Sequence, residues 1–275
     1  HRENYHSKRA IECELAWIDA LGKSKSVVTP GHYVGKDGEA IQVGEIQELH
    51  SSRYMVLFHF VEGAQPDETG DLVGPFEELG ELAARTHIHS INWKKPKNFE
   101  RLIWDFEAVF GEKPTWGNWR DGPEMNSDFL ATLERAELTI KKRLNDFGRS
   151  EERFGLIHAD MRLANLLIDQ NGTRLIDFDD CGMGWYLYDF AAAISFFEED
   201  PRIPQLRKAW IQGYRKIRTL TEEDEVEINT FVMLRRLALL AWIGSHIEAP
   251  EAQELAPGFA QGTTNLALAY LEKFG

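Results

Sequence analysis

Residues 154–180, FGLIHADMRLANLLIDQNGTRLIDFDD, constrain the fold of this chain more than any other stretch of it. Two short apolar runs, residues 166–168 and 175–176, flank the dipeptide Asn171-Gly172. An Asn-Gly pair between apolar runs is a strong signal for a two-residue turn that joins antiparallel strands. The pattern therefore predicts a β-hairpin.

The polar residues of this stretch lie where the predicted strands begin and end. Asp160 and Asn165 precede the first strand, and Asp177 follows the second. Because a hairpin folds back on itself, we expect these three side chains to meet at one rim. Magnesium is a hard cation that prefers carboxylate and amide oxygens. The rim is therefore typical of a metal site.

The composition indicates a globular chain with an acidic surface. Its 275 residues are 43% hydrophobic, which is enough for a sizeable core in one large domain or two lobes. The formal net charge of -14 and the lack of a basic stripe argue against a nucleic-acid partner. The charge favours a cationic substrate, although acidic runs such as residues 221–225 are also typical of solvated helix starts.

The cellular location is predicted from features that the sequence lacks. No apolar run approaches the roughly 20 residues needed to cross a bilayer, so we expect no membrane association. The two cysteines, Cys13 and Cys181, are too few for a disulfide framework and have no partners at metal-ligand spacing. A reducing cytoplasm fits these observations. The sequence does not indicate an oligomeric state.

The first 63 residues predict a small mixed lobe. Ser7 is a suitable N-cap for a helix over residues 8–21, in which apolar residues recur at helical spacing. Residues 53–61, RYMVLFHFV, predict a β-strand. We therefore expect residues 1–63 to form one unit with a small sheet and one helix.

Residues 64–275 predict a mostly helical lobe, with residues 63–74 as the hinge between the two lobes. Apolar residues recur at helical spacing in seven segments of this lobe. These segments are residues 76–89, 99–110, 127–147, 185–197, 203–217, 221–247 and 263–274. A loop between them carries Trp116 and Trp119, whose rings could line a pocket or cover the core.

The spacing of polar residues in the hairpin suits phosphoryl transfer. His158, Asp160 and Asn165 stand in the pattern H-x-D-x-x-x-x-N, and Asp177 follows twelve residues later. Phosphoryl transfer from ATP requires a group that positions the acceptor hydroxyl and accepts its proton, together with a metal that neutralises phosphate charge. One carboxylate of the rim can act as the base, and a second carboxylate with an amide oxygen can hold the metal.

These residues resemble the active-site signature of the aminoglycoside phosphotransferase and choline/homoserine kinase-like family, which is related to the eukaryotic protein kinases. The resemblance is specific in segments 158–165 and 176–179. Asp189 resembles the acid of the following helix that braces the catalytic loop, and Glu14 resembles the helix acid that pairs with a basic residue contacting ATP. The family implies an α+β, bilobal, protein-kinase-like fold.

The resemblance also implies roles for the hairpin residues. Asp160 is expected to be the catalytic base, His158 to support the catalytic loop, and Asn165 and Asp177 to be the magnesium ligands. Arg162 occupies the place where protein Ser/Thr kinases keep a lysine, and a cation there could stabilise charge on the transferred phosphoryl group.

Two alternatives stay open at this stage. Arg162 could instead be a surface residue that pairs with Asp179 or Asp180. The segment His59-Phe60-Val61 resembles the hinge that holds adenine through backbone groups, but it could also be a buried strand.

The start of the chain departs from the family pattern. The glycine-rich loop that covers the phosphates and the basic residue of the small lobe should precede the Glu14 helix, and neither is found in these residues. Because residue 1 is His, we expect these first strands of the small lobe to lie upstream of it.

The expected function is ATP- and magnesium-dependent phosphorylation of a hydroxyl group on a small molecule. An amino alcohol, amino acid or aminosugar would suit the acidic charge. One alternative is a protein Ser/Thr kinase of the bacterial stress-response type, and another is a nucleotide-binding relative without catalysis.

Overall fold

The structure is a computed structural model that describes residues 1, 5–46, 51–170 and 172–275. Its helices are α1 (Lys8–Ser24), α2 (Val73–Asn92), α3 (Phe106–Phe110), α4 (Ser127–Phe147), α5 (Tyr188–Ala193), α6 (Ile203–Arg215), α7 (Glu222–Ser245), α8 (Pro250–Leu255) and α9 (Phe259–Phe274). Its strands are β1 (Gln42–Ile46), β2 (Ser51–Met55), β3 (Leu102–Trp104), β4 (Phe154–Ile157), β5 (Leu166–Asp169), β6 (Gly172–Leu175) and β7 (Gly182–Trp185). The α+β class is confirmed.

Three small sheets lie among the helices. Strands β1 and β2 pair antiparallel, β5 and β6 form an antiparallel hairpin, and β7 lies between β3 and β4. The order β3-β7-β4 is parallel on one side and antiparallel on the other. Isolated bridges from Val28 to Arg174 and from Ala64 to Ile168 attach the first part of the chain to the hairpin. The hairpin therefore lies between the N-terminal segment and the helical part.

Helix α7 lies at the centre of the helical part. Its first turn carries four acidic residues, and Thr221 caps it through a capping box with Asp224. From Phe231 to Ile243 almost every side chain is buried, as expected of a helix surrounded by other elements. It packs against α4, α5 and α9, so any polar side chain on it must find a partner inside the protein.

Helices α2 and α6 cross with their backbones in contact. A Cβ atom on Gly80 would lie 2.0 Å from the carbonyl oxygen of Trp210, and one on Gly213 would lie 1.8 Å from that of Glu77. Only glycine fits at both positions. This close packing places Tyr214 of α6 beside the buried His87 of α2.

Local signals predicted the helix starts well. The Ser7 hydroxyl accepts a hydrogen bond from the amide of Ala10, as the N-cap prediction requires, and the helix runs to Ser24. Helix α4 also begins where expected, at Ser127, and the side chain of Asn126 supplies the capping oxygen. No helix in the described ranges has the length and apolar character required to span a bilayer. The division into lobes at residue 63 stays a prediction.

Three element predictions were wrong in part. Residues 99–110 were expected to be one helix, but Leu102–Trp104 form β3, because they pair in parallel with Gly182–Gly184. The strand expected over residues 53–61 ends at Met55 and continues as extended chain with an isolated bridge at Phe58. The helix expected from Trp185 begins at Tyr188, since Trp185 belongs to β7.

Candidate active site

The predicted hairpin is present and brings the polar rim together. Strands β5 and β6 pair from Leu166 opposite Leu175 to Asp169 opposite Gly172, and Asn171 of the predicted turn lies outside the described residues. The amide of Ile176 donates to the carbonyl of Asn165 at 3.0 Å. This contact places the residue before β5 beside the residues that follow β6.

The carboxylate of Asp160 is held by three side chains. The Nδ2 group of Asn165 donates to the Asp160 backbone carbonyl at 2.8 Å and to its Oδ2 at 2.9 Å. Arg162 donates through Nε to both carboxylate oxygens, and Arg235 donates through Nη2 to Oδ1 at 3.1 Å. Because Asn165 uses its Nδ2 hydrogens here, its Oδ1 atom is its remaining ligand for a cation.

Asp189 fixes the backbone of residues 158–165, the segment that we call the catalytic loop after the role that the resemblance implies for it. Its carboxylate accepts hydrogen bonds from the amides of Ala159 at 2.7 Å and His158 at 3.3 Å. Ala159 has a φ of 64°, in the left-handed region, which costs on the order of 1–3 kcal/mol for a residue with a Cβ atom. Such a conformation persists only when its surroundings fix it, and Asp189 is fully buried and does so.

His158 connects the catalytic loop to the end of the hairpin. Its Nδ1 atom accepts from the Asp160 amide at 3.3 Å, so Nε2 carries the proton and donates to the Ile176 carbonyl at 3.1 Å. The ring also lies 4.6 Å from that of Phe178. Its contacts are those of a supporting residue that holds Asp160 and the end of β6 in register.

Two cavities meet at the hairpin rim. The larger has a volume of about 900 Å³, and its walls include Glu14, Phe178 and residues 58–61. The smaller, about 640 Å³, is lined by Asp160 and Arg162 together with residues of α7 and α8. Asp177 and Asp179 line both cavities. These two residues therefore form a wall that the two cavities share.

The acids at this junction repel one another. Loss of bulk water around the Asp177 carboxylate, together with the charges of Asp160 and Asp179, raises its pKa above the usual range. Burial and the charge of Asp160 likewise raise the pKa of Asp180. Clustered carboxylates that resist ionisation are relieved by a bound cation. The donor set of Asn165 and Asp177 oxygens therefore suits a hard metal such as magnesium.

Asp179 has a different environment from its neighbours. Burial alone would raise its pKa, but a hydrogen bond with the His1 ring and the nearby His6 ring, whose Nε2 lies 3.3 Å from Oδ1, hold the pKa of Asp179 well below its ordinary value. It also shares the larger cavity with Asp177, which has a φ of 62°. The rim thus combines two left-handed residues, Ala159 and Asp177, with a dense set of charges, as is common at functional sites.

The predicted hinge residues His59, Phe60 and Val61 line the larger cavity. His59 and Phe60 are exposed, and Phe60 is 90% accessible, so this segment is not a buried strand. The amide of His59 donates to the carbonyl of Gly31 at 2.8 Å. The segment therefore forms one wall of the cavity.

Glu14 is buried beside the same cavity and pairs with Arg101. The Arg101 Nη1 group donates to Glu14 Oε2 at 3.1 Å, and both side chains are almost inaccessible. Arg101 also donates to the carbonyls of Cys181 and Ala10. The basic partner of Glu14 is therefore Arg101, which immediately precedes β3. The sequence analysis did not single out this residue.

We expect Glu14→Gln to lower the free energy of unfolding by on the order of 3 kcal/mol, because removing one charge of a buried pair leaves the other uncompensated. Glu12→Gln on the same helix is the matched control, since the Arg9–Glu12 pair is solvent-exposed and contributes under about 1 kcal/mol. Urea denaturation without nucleotide measures both changes. Equal shifts in the two variants would show that the Arg101 pair is not structural.

His87 holds the Asp189 carboxylate through a hydrogen bond. We expect it to make the free energy of unfolding depend on pH. Its Nε2 lies 2.9 Å from Asp189 Oδ2, and its Nδ1 lies 2.9 Å from the Tyr214 hydroxyl. Burial lowers the pKa of His87, although the hydrogen bond that its ring donates to the Asp189 carboxylate opposes the shift. The unfolded chain takes up this proton near ~6.5 while the folded chain does not, so stability falls as the pH drops below that value.

The expected slope is at most ~1.4 kcal/mol per pH unit for one such group. In His87→Gln the free energy of unfolding should change less between about pH 7.5 and 5.5 than in the wild type. Urea denaturation at several pH values measures the difference. An unchanged slope would show that His87 is protonated in the folded protein.

Arg235 is the main site residue that the sequence analysis did not single out. Arg235 and Arg236 stand within the apolar run of α7, and adjacent arginines in a buried helix are a signal that could have indicated a site. Trp116 lines the smaller cavity, whereas the indole of Trp119 is buried and donates to Glu137. The two tryptophans therefore take the two alternative roles, one each. In the described part of the chain, Arg162 pairs with Asp160 and not with Asp179 or Asp180.

Comparison with known proteins shows what this chain is similar to. Residues 1–226 match the sequence profile of the phosphotransferase enzyme family. The amicoumacin kinase of Bacillus subtilis (strain 168) is 23% identical over 245 residues, which are 84% of this chain and 69% of that protein.

Solved structures resemble the chain over almost its whole length. A microcompartment-associated aminopropanol kinase superimposes on this chain with a TM-score of 0.92 at 41% identity. The match covers 100% of this chain and 85% of the kinase chain. A choline kinase from Streptococcus pneumoniae has a TM-score of 0.61 at 13% identity, over 98% of this chain and 84% of its own, which supports the kinase-like fold. The kinase-like α+β fold expected from the sequence is therefore confirmed.

Proposed function

The chain belongs to the phosphotransferase enzyme family and is a small-molecule kinase, and we propose that it transfers the γ-phosphoryl group of ATP, with magnesium, to the hydroxyl of a small amino alcohol. The observation that carries this proposal is the meeting of two cavities at Asp177 and Asp179, with Asp160 on the wall of the smaller one. The larger cavity is assigned to the nucleotide and the smaller to the acceptor.

Asp160 is proposed as the general base. Its carboxylate accepts the proton of the acceptor hydroxyl, the hydroxyl oxygen forms a bond to the γ-phosphorus, and the bond from that phosphorus to the bridging oxygen of ADP breaks. The products are a phosphate ester, ADP and a proton on Asp160, which passes to solvent. Asn165 and Asp177 would hold magnesium, which neutralises phosphate charge when bound.

Arg162 is proposed to stabilise the negative charge of the transferred phosphoryl group. Its side chain is about one third exposed and lines the acceptor cavity, so it can leave Asp160 without unpacking the core. A guanidinium at this position would donate to the oxygens of the phosphoryl group as charge develops on them. His158 keeps its supporting role, and Glu14 with residues 59–61 would form the nucleotide side of the site.

The walls of the acceptor cavity suit a small cation. Trp116, Phe196 and Trp242 supply aromatic faces, and Asp180, Glu251 and Glu254 supply carboxylates. Aromatic faces and carboxylates both attract ammonium groups. A volume of about 640 Å³ is typical of small-molecule sites. Together with the similarity to an aminopropanol kinase, this favours a small amino alcohol over a protein hydroxyl.

ADP release from ATP and magnesium tests the proposal with a matched acceptor panel. The panel contains 1-amino-2-propanol, ethanolamine, choline, homoserine and an aminoglycoside, with 1,2-propanediol as the uncharged analogue of the first and casein as a protein acceptor. We expect turnover with one or more amines and at least ~10-fold lower kcat/KM with the diol, since a missing charge contact costs 1.4 kcal/mol or more. Equal turnover with the diol would overturn the cationic acceptor, and ADP release that depends on casein alone would overturn the small-molecule acceptor.

A further inference from the structure

Arg235 occupies a position where a cation is costly. It lies in the apolar run of α7, its side chain is 2% exposed, and it is among the largest fully buried side chains of the described structure. A guanidinium keeps its charge inside a protein and must be paired and hydrogen-bonded there. The residue is therefore retained in the core only with a set of partners that satisfy it.

Those partners are parts of the catalytic loop and its support. The Nη2 group donates to Asp160 Oδ1 at 3.1 Å, and Nη1 donates to the carbonyl of Ala159 at 3.3 Å. The Nε group donates to the Ser195 hydroxyl at 3.0 Å, and the guanidinium carbon lies 4.9 Å from the centre of the Trp116 ring. One planar group thus contacts the proposed base, the residue before it and two fixed elements.

The left-handed residue Ala159 is held from both sides by this arrangement. Asp189 accepts from its amide, and Arg235 donates to its carbonyl. The peptide that leads into Asp160 therefore cannot rotate without breaking one of two buried charge-assisted hydrogen bonds. The same guanidinium that fixes this peptide also fixes the carboxylate that follows it.

Arg162 contacts the same carboxylate but differs in anchoring. It is two residues from Asp160, partly exposed, and can turn toward solvent or toward the phosphoryl group. Arg235 belongs to a buried helix and is fixed by Ser195 and Tyr188 as well as by the loop. Arg235 is the contact that persists when Arg162 moves.

We propose that Arg235 is a positioning residue that holds the Asp160 carboxylate in the orientation that receives the acceptor proton. The proposal rests on the proposed kinase function, because it concerns the base of that reaction. Arg235 also lines the smaller cavity, but in this role it acts through Asp160. Misplacement of a catalytic group by about 1 Å can cost about 10²-fold in rate, and this sets the expected effect.

The test compares Arg235 with its neighbour Arg236, which is also buried but pairs with Glu198 and Thr263 away from the loop. Arg235→Met is expected to lower kcat about 10²-fold with KM values for ATP and acceptor within about threefold of the wild type. Millimolar guanidinium should restore part of the lost kcat. Arg236→Met is expected to lower the melting temperature but to keep kcat per nucleotide-binding site.

A second variant keeps the inference testable if Arg235→Met folds poorly. Arg235→Lys keeps the charge but cannot reach Asp160, Ala159 and Ser195 together, because lysine lacks the planar fork. We expect about a tenfold loss of kcat. Wild-type kcat in Arg235→Lys, or an equal loss in Arg236→Met, would overturn the positioning role. Absence of turnover in the wild type with every acceptor would instead overturn the proposed function.

Discussion

Asp160→Asn is expected to reduce kcat by about 10³-fold, within the range that general base catalysis contributes. The amide has nearly the same shape as the carboxylate but cannot accept the acceptor proton. Binding of nucleotide should survive, because the cavity assigned to ATP is formed by other residues. Coupled ADP release measures kcat, and a thermal shift with AMP-PNP and magnesium measures binding.

The structure adds a second consequence to this substitution. Asp160 is the counter-charge of the buried Arg235, so Asp160→Asn should also lower stability by on the order of 3 kcal/mol. Activity must therefore be expressed per nucleotide-binding site. The matched control is Asp169→Asn, which changes a carboxylate at the far end of the same hairpin, where it pairs with Arg174. Asp160→Asn with at least half of the wild-type kcat would contradict the role of base.

The part of the site that could be predicted from sequence is the part that is local. Residues 158–177 consist of one hairpin and the segments that flank it, so the spacing of Asp160, Asn165 and Asp177 along the chain determines their spacing in the fold. Helix α7 could be predicted for the same reason, since Thr221 and the acids that follow it act within one turn. Patterns of this kind need no knowledge of distant residues.

The parts that could not be predicted depend on partners far along the chain. Strand β3 has helical periodicity but becomes a strand because β7, about 80 residues later, offers it a paired edge. Arg101 reaches Glu14 across 87 residues, and Arg235 reaches Asp160 across 75. The residues next to each arginine in the sequence do not indicate which carboxylate it pairs with. Tertiary pairing overrides local propensity at such positions.

The hairpin rim also shows why one residue, Asp177, should set the metal dependence. Of the two predicted magnesium ligands, Asn165 and Asp177, only Asp177 has a carboxylate that can carry a negative charge. Asp177 also lines both cavities. Burial is the largest cause that raises the pKa of Asp177, and the negative charges of Asp160 and Asp179 raise it further. A cation bound there would relieve this repulsion.

Asp177→Asn is expected to lower kcat by at least ~10³-fold, because a metal ion contributes several kcal/mol of charge stabilisation to the transition state. Removal of this carboxylate should also shift the magnesium titration of ADP release to higher concentrations, whereas Asp160→Asn should keep the wild-type midpoint. The two variants thus separate the metal ligand from the base, although both lose turnover. A wild-type magnesium midpoint in Asp177→Asn would show that Asp177 does not hold the cation. In that case Asn165→Ala is also expected to leave the midpoint unchanged.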